Sequence, residues 1–125
     1  MTDPSLEVVG APSSLWHVTL IVAGGSTEPC GLRDALARLA EERPFLLSAR
    51  YTAERVELRY WEEATCLDDA AALALRLWGE HRRSAGLPPW SVTGLEVLDR
   101  ATFHWRVGQG ERSPALVSAG GIRPF

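Results

Sequence analysis

The segment TCLDDAAALALRLWGEHRRSAG, Thr65 to Gly86, constrains the fold more than any other part of the chain. Leu67, Ala70, Ala71, Ala74, Leu77, Trp78 and His81 recur at helical spacing and share one side. Asp69, Arg76, Glu80 and Arg83 share the opposite side, with Arg82 near the border. A long helix with a single apolar stripe must lie on an apolar surface supplied by the rest of the chain. Its ends are marked. Thr65 and Asp68 have the spacing of a capping box, and Asp68 and Asp69 suit the positive end of the helix. Gly86 fits the left-handed position after the last turn, Leu87 the apolar residue behind it, and Pro88 the stop. His81-Arg82-Arg83 therefore reads as the basic end of a helix, not as one anion-gripping patch.

The surface for that helix is found in period-two segments. In LWHVTLIVAGG, Trp16, Val18, Leu20 and Val22 take one face and His17 and Thr19 the other. In FLLSARYT, Phe45, Leu47, Ala49 and Tyr51 alternate with Ser48 and Arg50; in VELRYW, Val56, Leu58 and Tyr60 alternate with Glu57, Arg59 and Trp61. A turn near Ala53-Glu54 makes these two a hairpin. WSVTGLEVL is a further strand, and Gly94 stands where its alternation changes phase, which predicts a bulge. Between the first strand and the hairpin, STEPCGLRDALARLAEERP carries Leu32, Ala35, Leu36 and Leu39 on one helical face. Ser26 or Thr27 can cap this helix, Pro29 suits its first turn and Pro44 ends it. DRATFHW is either a strand extension or a short helix capped by Asp99.

These readings give a single α+β domain over residues 14–107, with a loose arm at 1–13 and a loosely held tail at 108–125. The element order β-α-β-β-α-β resembles the ferredoxin-like fold and small bacterial proteins of that class. The resemblance implies a four-stranded antiparallel sheet of order 4-1-3-2 with both helices on one face. It rests on element order and apolar pattern, so it carries no activity by itself. Acylphosphatases share this fold, but their pattern needs an arginine in the phosphate loop and an asparagine on the next strand. Arg33 lies inside the helix and the chain has no asparagine, so that activity is not implied.

Composition narrows the function. All 13 basic residues are arginine, and the net charge is −3. Without lysine there is no Schiff base, Walker lysine or SxxK nucleophile. The acidic balance disfavours nucleic acid and anionic membranes as partners. Neither a signal peptide nor an apolar run long enough to span a bilayer is recognised, so a soluble, cytoplasmic protein is expected. Cys30 and Cys66 form no CxxC motif, and the topology sets them at opposite ends of the sheet, too far apart for a disulfide. His17, His81 and His104 lack metal-binding spacing, so neither a metal nor a cofactor is expected. The AGGSTEPCG turn enters a helix N-terminus, where Glu28 would repel an anion.

The face of the sheet away from the helices should be open, lined by His17, Thr19, Ser48, Arg50, Glu57, Arg59 and Trp61, with Leu15, Ile21 and Leu46 as apolar neighbours. It lacks the aromatic pattern of RNA-recognition sheets. The expected function is a non-enzymatic binding or regulatory module, a homodimer through the sheet face or edge. Its small-molecule ligand would contact His17, Arg50, Arg59 and Trp61. The alternative is a cofactor-free oxygenase or isomerase of the dimeric α/β-barrel kind, with a pocket between sheet and helices and His81 or Tyr60 as acid/base. Antiparallel helices would also bring His81 toward Glu28 and Cys30, where a thiolate beside a histidine is an activated nucleophile.

Overall fold

The alternation around Val18 becomes strand β1 (Ser14–Ala23), and the following helical period becomes α1 (Pro29–Glu42). The computed structural model describes residues 12–109 and 121–125. β2 (Leu46–Thr52) and β3 (Arg55–Ala64) pair antiparallel around the two-residue turn Ala53-Glu54. Then come α2 (Leu67–Ala85), β4 (Ser91–Asp99), α3 (Arg100–Gly108) and β5 (Gly121–Pro124).

The sheet order is β4-β1-β3-β2-β5. The first four strands are antiparallel neighbours in the 4-1-3-2 order of the ferredoxin-like fold. The expected four-stranded antiparallel sheet needs correction: β5 adds a fifth strand parallel to β2, so the sheet is mixed. β5 comes from the stretch read as a loose tail. Its Ile122 packs against the core, and the Phe125 amide donates to the Tyr51 carbonyl. The other expectations for the arm and tail fall largely on residues 1–11 and 110–120, outside the described residues. No helix of the described residues is long and apolar enough to cross a membrane.

α1 and α2 bury their stripes on one face of the sheet. Leu32, Leu36, Leu39, Ala74, Leu77 and Trp78 pack there with Val18, Leu20, Val22, Leu58 and Tyr60. This burial, at roughly 25 cal/mol per Å2 of apolar surface, is the main stabilising term. The Gly94 bulge is present: the β1–β4 register shifts between Ile21 and Val22. A second shift, between Leu46 and Ser48 of β2, breaks the alternation expected for FLLSARYT. Because the bulge sets an extra residue against β3, Phe45 is turned out at 61% exposure and Leu46 packs on the core instead of the far face.

The helix ends differ in part from expectation. Glu28, not Ser26 or Thr27, caps α1, accepting from the Gly31 amide at 2.6 Å and the Cys30 amide at 3.1 Å. Its negative charge also complements the helix dipole. Those bonds favour the ionised carboxylate and hold its pKa below the usual range. At α2 the cap position is Cys66, which makes no side-chain cap bond; Thr65 Oγ1 donates to Asp69 instead. The far end of α2 is as read. Gly86 is left-handed at φ 78°, and the amides of Gly86 and Leu87 both reach the Arg82 carbonyl at 2.9 Å.

Candidate functional site

The sheet face opposite the two long helices is not open. Asp99 ends β4 and accepts from the Thr102 amide at 2.7 Å, so the chain turns at once into α3. This settles DRATFHW as a helix and lays it back across β1. Phe103 of α3 stacks on His17, with ring centres 4.2 Å apart and planes at 28°. Trp61 packs T-shaped against both, its ring centre 5.2 Å from that of His17 and 5.1 Å from that of Phe103. The expected exposed patch around Trp61 is thus roofed, because a helix that starts at the end of an edge strand can fold directly over its neighbour.

Between α3, β1 and β4 lies a cavity of about 340 Å3. Ile21, Leu95, Leu98, Phe103 and Val107 form its apolar wall, and His17, Thr19, Arg59, Glu96 and Arg106 its polar one. The polar residues share a face because they alternate with core residues: His17 and Thr19 flank Val18, and Arg59 lies between Leu58 and Tyr60. Glu96 accepts from Arg106 at 2.8 Å. Arg59 stands 3.6 Å from Glu57, longer than a good hydrogen bond.

His17 is 1% exposed, and burial first, then the Arg59 charge, lowers its pKa to about 4 against an opposing effect of Glu96. At neutral pH the imidazole is uncharged, with one nitrogen able to donate and one to accept. Neither nitrogen has a hydrogen-bond partner among the described residues, and neither has the Thr19 hydroxyl. Buried polar groups left in this state each cost about 1–3 kcal/mol.

Of the residues expected to form a ligand face, His17 and Arg59 line the cavity and Trp61 backs it. Arg50 lies elsewhere, its guanidinium 5.0 Å from the Phe125 ring. Tyr60 points to the helix side, where burial raises its phenol well above the usual range. Arg43 lies over its ring. His81 does not approach Glu28 or Cys30. Its Nδ1 lies 2.6 Å from Glu42 Oε1, and Arg38 Nε donates to the Ala85 carbonyl at 2.8 Å. The two helices are antiparallel as expected, but they overlap only through their C-terminal halves. Cys30 is exposed at the start of α1, beyond that overlap. The helix–sheet interface that an α/β-barrel enzyme would hollow out is filled by Leu20, Leu36, Leu39, Leu58 and Tyr60, each at most 1% exposed. Among the described residues no group of three or more histidine, cysteine, aspartate or glutamate side chains could hold a metal ion.

Glu96, Phe103 and Arg106 are the site residues that sequence reasoning missed. A signal existed: behind the Asp99 cap, Phe103, Arg106 and Val107 recur at helical spacing and so share one face of a short helix.

Fold and site together define an α+β protein of ferredoxin-like topology with a roofed cavity on the sheet face that this topology commonly leaves bare. Residues 15–114 match the family described as Domain of unknown function (DUF8830), and the chain belongs to that family. Among solved structures it is similar to one titled "Structure of an acylphosphatase from Coxiella burnetii", at 16% identity and a TM-score of 0.38. That match covers 93% of this chain and 96% of the other. No curated protein matches it significantly.

Proposed function

We propose that the chain is a non-enzymatic binding module that holds one small molecule in the cavity beneath α3. The observation that carries this reading is the pair of buried residues His17 and Thr19, unpartnered among the described residues on the wall of a half-open pocket with one polar and one apolar side. Buried donors and acceptors are almost always satisfied, and a ligand entering the cavity would satisfy these. The volume falls at the small end of the usual range for ligand sites, about 300–1,000 Å3. Binding is favoured over acid–base catalysis because a histidine with a pKa near 4 is a weak base at neutral pH.

The test is a fragment titration followed by amide NMR. Shifts should concentrate at His17, Thr19, Glu96 and Phe103, and vanish in Val107→Trp, which fills the cavity from the end of α3. A library of several hundred fragments that moves none of these amides would sink the reading.

The assembly in this reading is a homodimer through the β4 edge. Among the described residues β4 is a terminal strand of the sheet, and its Leu95 is one of the large apolar side chains left exposed. Pairing two such edges would satisfy their free backbone groups. Sedimentation velocity should show a dimer at micromolar concentration; a strict monomer at the highest soluble concentration would remove it. The compartment is taken as the cytoplasm, where two exposed free thiols, Cys30 and Cys66, stay reduced.

A further inference from the structure

One row of side chains crosses four strands of the sheet on the cavity face. Thr19 of β1 is the register partner of Glu96 on β4 and of Arg59 on β3, and Arg59 is in turn the partner of Ser48 on β2. Neighbours in such a row lie about 4.5–5.5 Å apart at Cβ. Thr19 is 7% exposed and Ser48 2%. The Thr19 hydroxyl, the Arg59 Nε–H and the Ser48 hydroxyl have no partner among the described residues. Three of the four members of the row therefore carry unmet donors side by side, and two of the three, Thr19 and Arg59, line the cavity.

The charges around the cavity limit what those donors can take. Arg106 is engaged with Glu96, whereas among the described residues Arg59 has only the 3.6 Å approach of Glu57. The lining itself carries two arginines, one glutamate and a neutral histidine, a net of one positive charge. A single negative charge at Arg59 is then favourable, and a dianion such as phosphate would meet Glu96 in the same row. The remaining walls, Ile21, Leu98 and Phe103, offer apolar surface to the rest of the molecule.

We propose that the cavity selects a small monocarboxylic acid with an apolar body, its carboxylate accepting from Arg59 Nε–H and the Thr19 hydroxyl and its body lying between Ile21, Leu98 and Phe103. This rests on the cavity being a ligand site and adds the ligand's chemical class. The Ser48 hydroxyl, next in the row, lies beyond the lining and stabilises the charge at longer range. The neutral His17 adds one N–H at the edge of the same group.

Calorimetric titration with phenylacetate, phenylacetamide and phenyl phosphate tests it. Phenylacetate should bind one per chain and about ten-fold or more tighter than either of the others, as expected for hydrogen bonds to a charged group. Arg59→Gln should weaken phenylacetate about ten-fold or more and leave phenylacetamide within about two-fold. Thr19→Val, which keeps the side-chain shape, should weaken phenylacetate by several-fold and so reports even if Arg59→Gln does not fold. Equal binding of acid and amide, tighter binding of the phosphate, or equal loss of acid and amide in Arg59→Gln overturns the carboxylate assignment while the cavity stands as a site. If none of the three binds while the fragment titration moves the cavity amides, the carboxylate assignment also fails. If the fragments move nothing either, the binding reading fails with it.

Discussion

Between pH 6.5 and pH 4 the fold should lose about 3 kcal/mol of stability through His17 alone, and His17→Leu should abolish that slope. The folded-state pKa is about 4 against an ordinary 6.5, lowered mainly by burial and then by Arg59. Above pH 6.5 the imidazole is neutral in both folded and unfolded chains and contributes no pH dependence. As pH falls below 6.5 the unfolded chain takes up a proton that the folded chain refuses, so unfolding is favoured progressively until about pH 4. The interval from 6.5 to 5 is diagnostic, since carboxylates titrate mostly below it. Urea denaturation at pH 7, 6 and 5 would measure it. Parent and His17→Leu with parallel stability profiles would show that His17 is not held neutral. At pH 7 the leucine variant should be at least as stable as the parent, because it removes two buried nitrogens without partners.

Gly24→Ala should cost about 2–3 kcal/mol, whereas Gly25→Ala next to it should change stability by less than about 0.5 kcal/mol. A Cβ on Gly24 would enter the Trp90 indole, nearest Cδ1 and 2.7 Å from Cγ. That ring cannot step aside cheaply. It stacks on Trp78 with centres 6.2 Å apart and planes at 6°, and its Nε1 donates to the Gly25 carbonyl at 3.0 Å. Trp78 is in turn buried and donates to the Pro88 carbonyl at 2.9 Å. The methyl group would displace an indole that ties the end of β1 to the link between α2 and β4. Around Gly25 the space is open, so the same substitution there is a matched control. Denaturant midpoints read by tryptophan fluorescence would compare the two; equal midpoints would mean that Trp90 is not held as described.

How far the chain could be read in advance follows from which interactions are local. The strands β1 and β3 were legible because Val18, Leu20, Val22 and Val56, Leu58, Tyr60 alternate without interruption, and alternation fixes a face whatever lies across it. The same alternation set His17, Thr19, Arg59 and Trp61 on the opposite face, so one wall of the cavity was readable. The end of α2 was legible because the left-handed Gly86 and the apolar Leu87 act within a few residues. FLLSARYT misled because a bulge reverses the alternation, and the bulge is made by pairing with β3. His81 misled because its height along α1 depends on how two helices of unequal length slide across a sheet. The cavity's roof was only half legible: the Asp99 cap and the spacing of Phe103, Arg106 and Val107 mark a short helix, but its folding back over β1 rests on the contact of Phe103 with His17, far away in the chain.

Taken by itself, the sequence determined the identity of the main elements, the faces they bury and the row of polar residues turned away from the core, since these follow from spacing along one chain. Only the tertiary structure decided that β5 joins the sheet, that His81 meets Glu42 instead of Cys30, and that α3 closes a cavity over His17 and Thr19. Those outcomes depend on contacts between segments far apart in the chain, where burial and steric fit across the sheet set position and no local pattern records it.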